Sequence, residues 1–126
     1  MSNITVLIGR ILLAHIFVLA GLNKIGAGYA GTQAYMEAMG VPGMLLSLVI
    51  LLELGGGLAL IAGYKTRLVC WALAAFTIVA ALIFHNKLSD QLQMIMFMKN
   101  FAMAGGLLVL AEHGAGLYSL DRIFKR

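Results

Sequence analysis

Charge is scarce in this chain. Only 11% of its 126 residues are Asp, Glu, Lys or Arg, against about 25% in an ordinary soluble domain. Hydrophobic residues make up 62%, and the mean hydropathy is +0.97. A water-soluble globule is excluded, because a domain this small would leave much of that apolar surface in water. A disordered chain is excluded for the same reason. Cys70 is the only cysteine, which excludes an intrachain disulfide, a CxxC redox pair and a Cys-based zinc site. Any redox chemistry must therefore use a bound molecule or a partner. The net charge of +4 comes from nine Lys and Arg against five acids. These basic residues are scattered rather than gathered on an aromatic face, so a nucleic-acid surface is excluded too.

What the chain does have is four apolar runs, at about 4–22, 44–62, 68–84 and 94–111, each near the about 17–25 residues that cross a bilayer. They are continuous rather than alternating and rich in Leu, Ala and Met, so they read as helices. The expectation is an all-α integral membrane protein, a single domain of four transmembrane helices. Asn23–Gly43 reads as a longer loop containing Pro42, the only proline, which suits the first turn of the second helix. Gly63-Tyr64-Lys65-Thr66-Arg67 reads as a tight hairpin, Asn86–Gln93 as the next link, and 117–126 as a short amphipathic tail. Arg10 and His15 interrupt the first run and no cleavage site follows, so it reads as a retained anchor. Lys65, Arg67, Arg122, Lys125 and Arg126 fall on one side and Lys24 and Lys87 on the other. That bias places both termini in the cytoplasm.

An ionisable residue at bilayer depth costs about 2.5–3.5 kcal/mol on insertion scales, so each one needs a reason. Arg10, Glu53 and Lys99 lie within the first, second and fourth runs, and Lys24 and His85 at the outer ends of the first and third. Arg10, Ala14, Phe17, Gly21 and Lys24 share a helix face, as do Glu53, Gly56, Gly57 and Leu60, and Met96, Lys99, Met103 and Gly106. Gly56, Gly57 and Gly106 are structural candidates that let helices approach closely. Arg10 is the favoured partner of Glu53, with Lys99 the competitor, and the pair serves equally well as a lock between helices or as part of a site. Glu53 and His85 are the candidates for proton transfer, and Arg10, Lys24, Lys99 and Asn100 for ligand binding. His15 faces another surface, His113 reads as a helix-end residue and Trp71 as an interfacial anchor. The three histidines lie on different segments, so no metal site is expected.

These motifs in this order resemble the DoxX family of small bacterial inner-membrane proteins. They comprise Arg10 and Lys24 about the first helix, Glu53-Leu54-Gly55-Gly56-Gly57, the Gly63–Arg67 hairpin, His85, Lys99-Asn100 opening a Gly105-Gly106 helix, and Gly114-Ala115-Gly116-Leu117-Tyr118-Ser119-Leu120-Asp121. The resemblance covers nearly the whole chain. One departure is Ala20 before Gly21, where many relatives carry a histidine. The resemblance implies a four-helix inner-membrane protein whose polar pattern falls on Arg10, Lys24, Glu53, Arg67, His85, Lys99 and Asn100. Some relatives are subunits of a thiosulfate:quinone oxidoreductase. It therefore implies a membrane subunit of a quinone-linked redox system, binding a quinone-like molecule, with no covalent cofactor, or docking a soluble oxidoreductase on its basic end. Whether the chain is itself part of an enzyme stays open. Two alternatives stand beside this reading: a small-solute transporter or channel, which needs a homo-oligomer to enclose a pore, and a non-catalytic assembly factor. In every case the first partner is the lipid bilayer.

Overall fold

The computed structural model describes residues 3–124. Lys125 and Arg126, counted above toward the cytoplasmic side, lie outside that range. The described residues form helices and connecting turns, without a strand. Helix α1 spans Asn3–Asn23, α2 Ala27–Ala38, α3 Gly43–Ala62, α4 Thr66–Phe84, α5 Gln91–His113 and α6 Leu120–Phe124. Helices α1, α3, α4 and α5 are long and apolar enough to cross a membrane. The protein is an all-helical bundle of four such helices.

Packing follows the small residues. On α1 the buried positions are Val6, Arg10, Ala14, Phe17 and Gly21, one stripe at helical spacing. That stripe meets α3 at close range. A Cβ on Gly57 would lie 2.7 Å from Val18 Cγ2 and 3.1 Å from the Ala14 carbonyl oxygen, and one on Gly21 would lie 3.0 Å from the Leu54 amide nitrogen. Glycine on both helices therefore sets how near their backbones come. Helices α4 and α5 pair as an extended hairpin, burying Cys70, Leu73, Ala74, Ala104, Leu107 and Ala111 between them and the α1–α3 pair.

Between α1 and α3 the structure departs from the sequence reading. The segment read as a loop contains the 12-residue helix α2. Gly26 and Gly40 take positive φ (66° and 83°) and bound the helix, whereas Gly28 and Gly31 sit inside it. The intervening Ala, Gln, Met and Glu residues supply the helical propensity. Three contacts hold α2 down. Tyr29 and Ser47 share a hydrogen bond of 3.0 Å, Gln33 Nε2 donates to the Gly43 carbonyl at 3.2 Å, and Tyr35 stacks on Phe84 with ring centroids 5.4 Å apart. Helix α3 is also irregular, opening with a 3₁₀ turn at Gly43–Leu45 and carrying one π-helical turn at Leu51–Gly55.

At the end of the bundle holding Asn3 and Phe124, the segment after α5 and the α3–α4 hairpin lock together. The Asp121 carboxylate accepts from the amides of Lys65 (2.6 Å) and Thr66 (2.9 Å), and its own amide donates to the Gly63 carbonyl (2.8 Å). Asp121 thus supplies from a distance the N-cap that α4 lacks locally. Burial pushes this carboxyl up, but hydrogen bonds from Thr66 and the Lys65 amide and the charge of Arg10 outweigh it, so it is held below its ordinary value. Arg67 Nη1 donates to the carbonyls of Ala111 and Glu112, both at 2.8 Å, and so closes the last turn of α5.

Candidate functional site

The structure divides the charged residues between two tasks. Arg10 is 1% exposed, and its guanidinium does not meet Glu53. Nε donates to the Leu60 carbonyl (3.0 Å), Nη2 to Ile61 (2.7 Å), and Nη1 to Ala115 (2.6 Å) and Tyr118 (2.9 Å). The expected Arg10–Glu53 pair is therefore corrected. Arg10 lies level with the end of α3, about two helical turns from Glu53, and four backbone carbonyls compensate its charge. The C-terminal carbonyls of a helix are a favourable place for a cation. Arg10 is accordingly a structural clamp set away from the cavity described next.

Glu53 pairs instead with Lys24, whose Nζ lies 2.7 Å from Glu53 Oε1. The ammonium also donates to the Ala20 carbonyl one turn back, at 3.2 Å. The π-helical turn of α3 carries Glu53, and such a turn widens the helix locally in a way often seen at functional sites.

This pair forms part of the wall of a cavity of about 340 Å³, enclosed by α1, α2, α3, α4 and α5. Its apolar lining includes Phe17, Met36, Phe76, Phe84, Met96 and Met103. Its polar lining brings together four candidates named from the sequence besides Glu53: Lys24, His85, Lys99 and Asn100. His85 ends α4, and its Nδ1 lies 3.2 Å from Gln93 Oε1, which leaves Nε2 for another partner. Among the described residues, Lys99 has no carboxylate partner. Asn100 Nδ2 donates to the Thr77 carbonyl at 3.2 Å, tying α5 to α4. His15 is exposed and His113 turns to the Gly114 carbonyl, so neither reaches the cavity. No cluster of metal-ligating side chains occurs among the described residues.

Sequence reasoning missed two parts of this wall. Thr77 is 2% exposed, and its hydroxyl has no hydrogen-bond partner among the described residues. The signal was available, since Thr77 is the one polar residue in the middle of the third apolar run. Helix α2 contributes Thr32, Tyr35 and Met36, which a loop reading could not place. The structural glycines lie outside the lining, with Gly56 against Leu73 and Gly106 against Leu13.

The DoxX family model matches residues 5–86 of the chain. The chain belongs to the DoxX family. Along its whole length it is similar to the inner membrane protein YqjF of Escherichia coli (strain K12), with 49% identity over 96% of that relative. It is also similar to the inner membrane protein YphA of the same organism, with 33% identity over 94% of this chain and 89% of the relative. No solved structure matches. The family match takes in Arg10, Lys24, Glu53 and His85. Lys99 and Asn100 lie beyond it, within the longer likeness to YqjF.

Proposed function

We propose that this DoxX-family chain is a multi-pass protein of the bacterial inner membrane that binds the headgroup of a quinone-like molecule, as the membrane subunit of a quinone-linked redox system. The membrane assignment draws on the four apolar helices and on the inner membrane relatives. Both termini face the cytoplasm on this reading, since Lys65, Arg67 and Arg122 gather at their end of the bundle.

One observation carries the ligand assignment: a mainly apolar cavity among the long apolar helices that joins the Lys24–Glu53 pair to a lysine without a carboxylate partner and a half-buried imidazole. Ionisable groups are costly in lipid and mark functional sites by default. The aromatic and methionine side chains fit a flat apolar ring. Lys99 and His85 fit its carbonyl oxygens as donors, and Glu53 fits a hydroxyl as acceptor. A bound quinone would supply the redox chemistry and exchange electrons with a second protein. Lys99 sets a positive potential at the mouth, the Lys24–Glu53 pair holds the wall in register, and His85 passes protons at Nε2.

The test is extraction of small molecules from protein purified in mild detergent, followed by thermal melting with added quinone. Copurifying quinone and a melting temperature raised by quinone are expected. Absence of quinone from the extract, together with no shift on its addition, defeats the reading.

A further inference from the structure

A second cavity lies at the opposite end of the bundle, independent of the quinone reading. It measures about 500 Å³ and sits between the α3–α4 hairpin and the segment after α5. We propose that it holds the phosphate of an anionic phospholipid.

Its lining is basic. Lys65, Arg67, Arg122 and His113 are among its lining residues, and Asp121 is the only carboxylate among them. That carboxylate is already engaged by the amides of Lys65 and Thr66, so it offsets the cations only in part. Arg67 is fixed in place before any ligand arrives. Its Nη1 is anchored on two carbonyls, and its Nη2 lies beside Gly114, where a Cβ would stand 3.3 Å from it. Among the described residues the Arg67 Nε and Nη2 groups have no acceptor, and a phosphate oxygen is the natural one. Lys65 is held by its own backbone, the single non-glycine residue at positive φ (48°) among those described.

Position distinguishes a lipid from a free anion. The cavity joins the start of α4 to the end of α5, both long and apolar enough to cross the membrane. It therefore opens at the boundary between water and hydrocarbon. Leu68 lines it and is 67% exposed, and Trp71, one turn further along α4, is 61% exposed. The basic rim thus runs directly into an apolar track that an acyl chain can follow, with an aromatic ring at headgroup level. A soluble anion would use the rim alone. Basic residues beside a membrane surface attract anionic lipid.

The experiment places the protein in nanodiscs of phosphatidylethanolamine mixed with phosphatidylglycerol and counts the lipids retained on release by native mass spectrometry. Phosphatidylglycerol should be retained preferentially. In a Lys65→Gln/Arg122→Gln double variant that preference should fall about fivefold or more. Neither side chain donates a hydrogen bond to the described residues, so the variant should keep its melting temperature in detergent. Lys87→Gln, at the other end, should leave the preference intact. An unchanged preference in the double variant overturns the proposal. So does equal stabilisation in lipid-free detergent by inorganic phosphate, which marks a soluble-anion site, or by polyglutamate, which marks a docked acidic protein.

Discussion

Lys24 reaches back from the end of α1 to Glu53 in the π-helical turn of α3, closing to 2.7 Å. The side chain of Glu53 is 8% exposed and that of Lys24 25%, so the pair is half-sealed. Removing either partner leaves the other as an uncompensated charge beside lipid. Lys24→Ala and Glu53→Ala should each lower stability by roughly 1–3 kcal/mol, short of the about 3–5 kcal/mol seen when a sealed pair is broken. A Lys24→Glu/Glu53→Lys exchange should recover part of that loss. Protein abundance and melting temperature in detergent measure it.

Arg10 behaves differently, because its partners are carbonyls that no substitution removes. Arg10→Met should cost about 3 kcal/mol or more, since each charge-assisted hydrogen bond contributes about 1.5–3 kcal/mol. An Arg10→Glu/Glu53→Arg exchange should give no rescue. Recovery of abundance in that double variant would show that Arg10 and Glu53 pair after all.

The four crossing helices were legible because hydropathy over some twenty residues is a property of the chain alone. Partner choice was not. Residue counting along the helices favoured Arg10 over Lys99 and did not raise Lys24, which shares the Arg10 face of α1, and the carbonyls that satisfy Arg10 carry no residue identity. Pairing within the membrane favours whichever acceptor lies level with the donor, and the end of α3 is level with Arg10. Helix α2 was hidden by its glycines, two of which end it while two lie within it. Local composition could not separate those roles. The candidates lining the cavity were legible one by one as polar exceptions in apolar runs, whereas their convergence required the packing.

Asp121 makes stability depend on acid. Its carboxyl titrates below the ordinary value of 3.8 in the folded protein, so its contribution is complete above that value. It is lost as pH falls through the lower folded value. Asp121→Ala should cost about 1 kcal/mol at neutral pH, the usual worth of an N-cap. It should also flatten the fall in melting temperature between about pH 5 and pH 2. Melting curves across that range for both proteins provide the check.

Close helix approach gives a matched pair of glycine substitutions. Gly57→Ala puts a methyl group into Val18 and the Ala14 carbonyl and should cost about 1–3 kcal/mol. Gly9→Ala, where nothing lies within 4 Å of the added carbon, should stabilise α1 by about 0.5–1 kcal/mol. Thermal melting of the two variants side by side separates packing from helix propensity.

Lys99 tests the proposed quinone site without disturbing the bundle. It has no carboxylate partner among the described residues, so Lys99→Met should leave the melting temperature unchanged or raise it. Quinone affinity should fall about tenfold, equivalent to one charge-assisted hydrogen bond of about 1.4 kcal/mol. Titration of added quinone against intrinsic fluorescence reads both affinities.

The Arg10 clamp also imposes an order on synthesis. Its Nη1 acceptor at Ala115 lies 105 residues further along the chain, so the ribosome delivers a bare guanidinium to the membrane long before half of its partners exist. Until the final segment emerges, that charge must be tolerated by water, lipid phosphate or the insertion machinery. This end of the bundle can close only after Ala115 and Tyr118 have been made, and a nascent chain halted before Ala115 lacks two of the four carbonyls that hold Arg10.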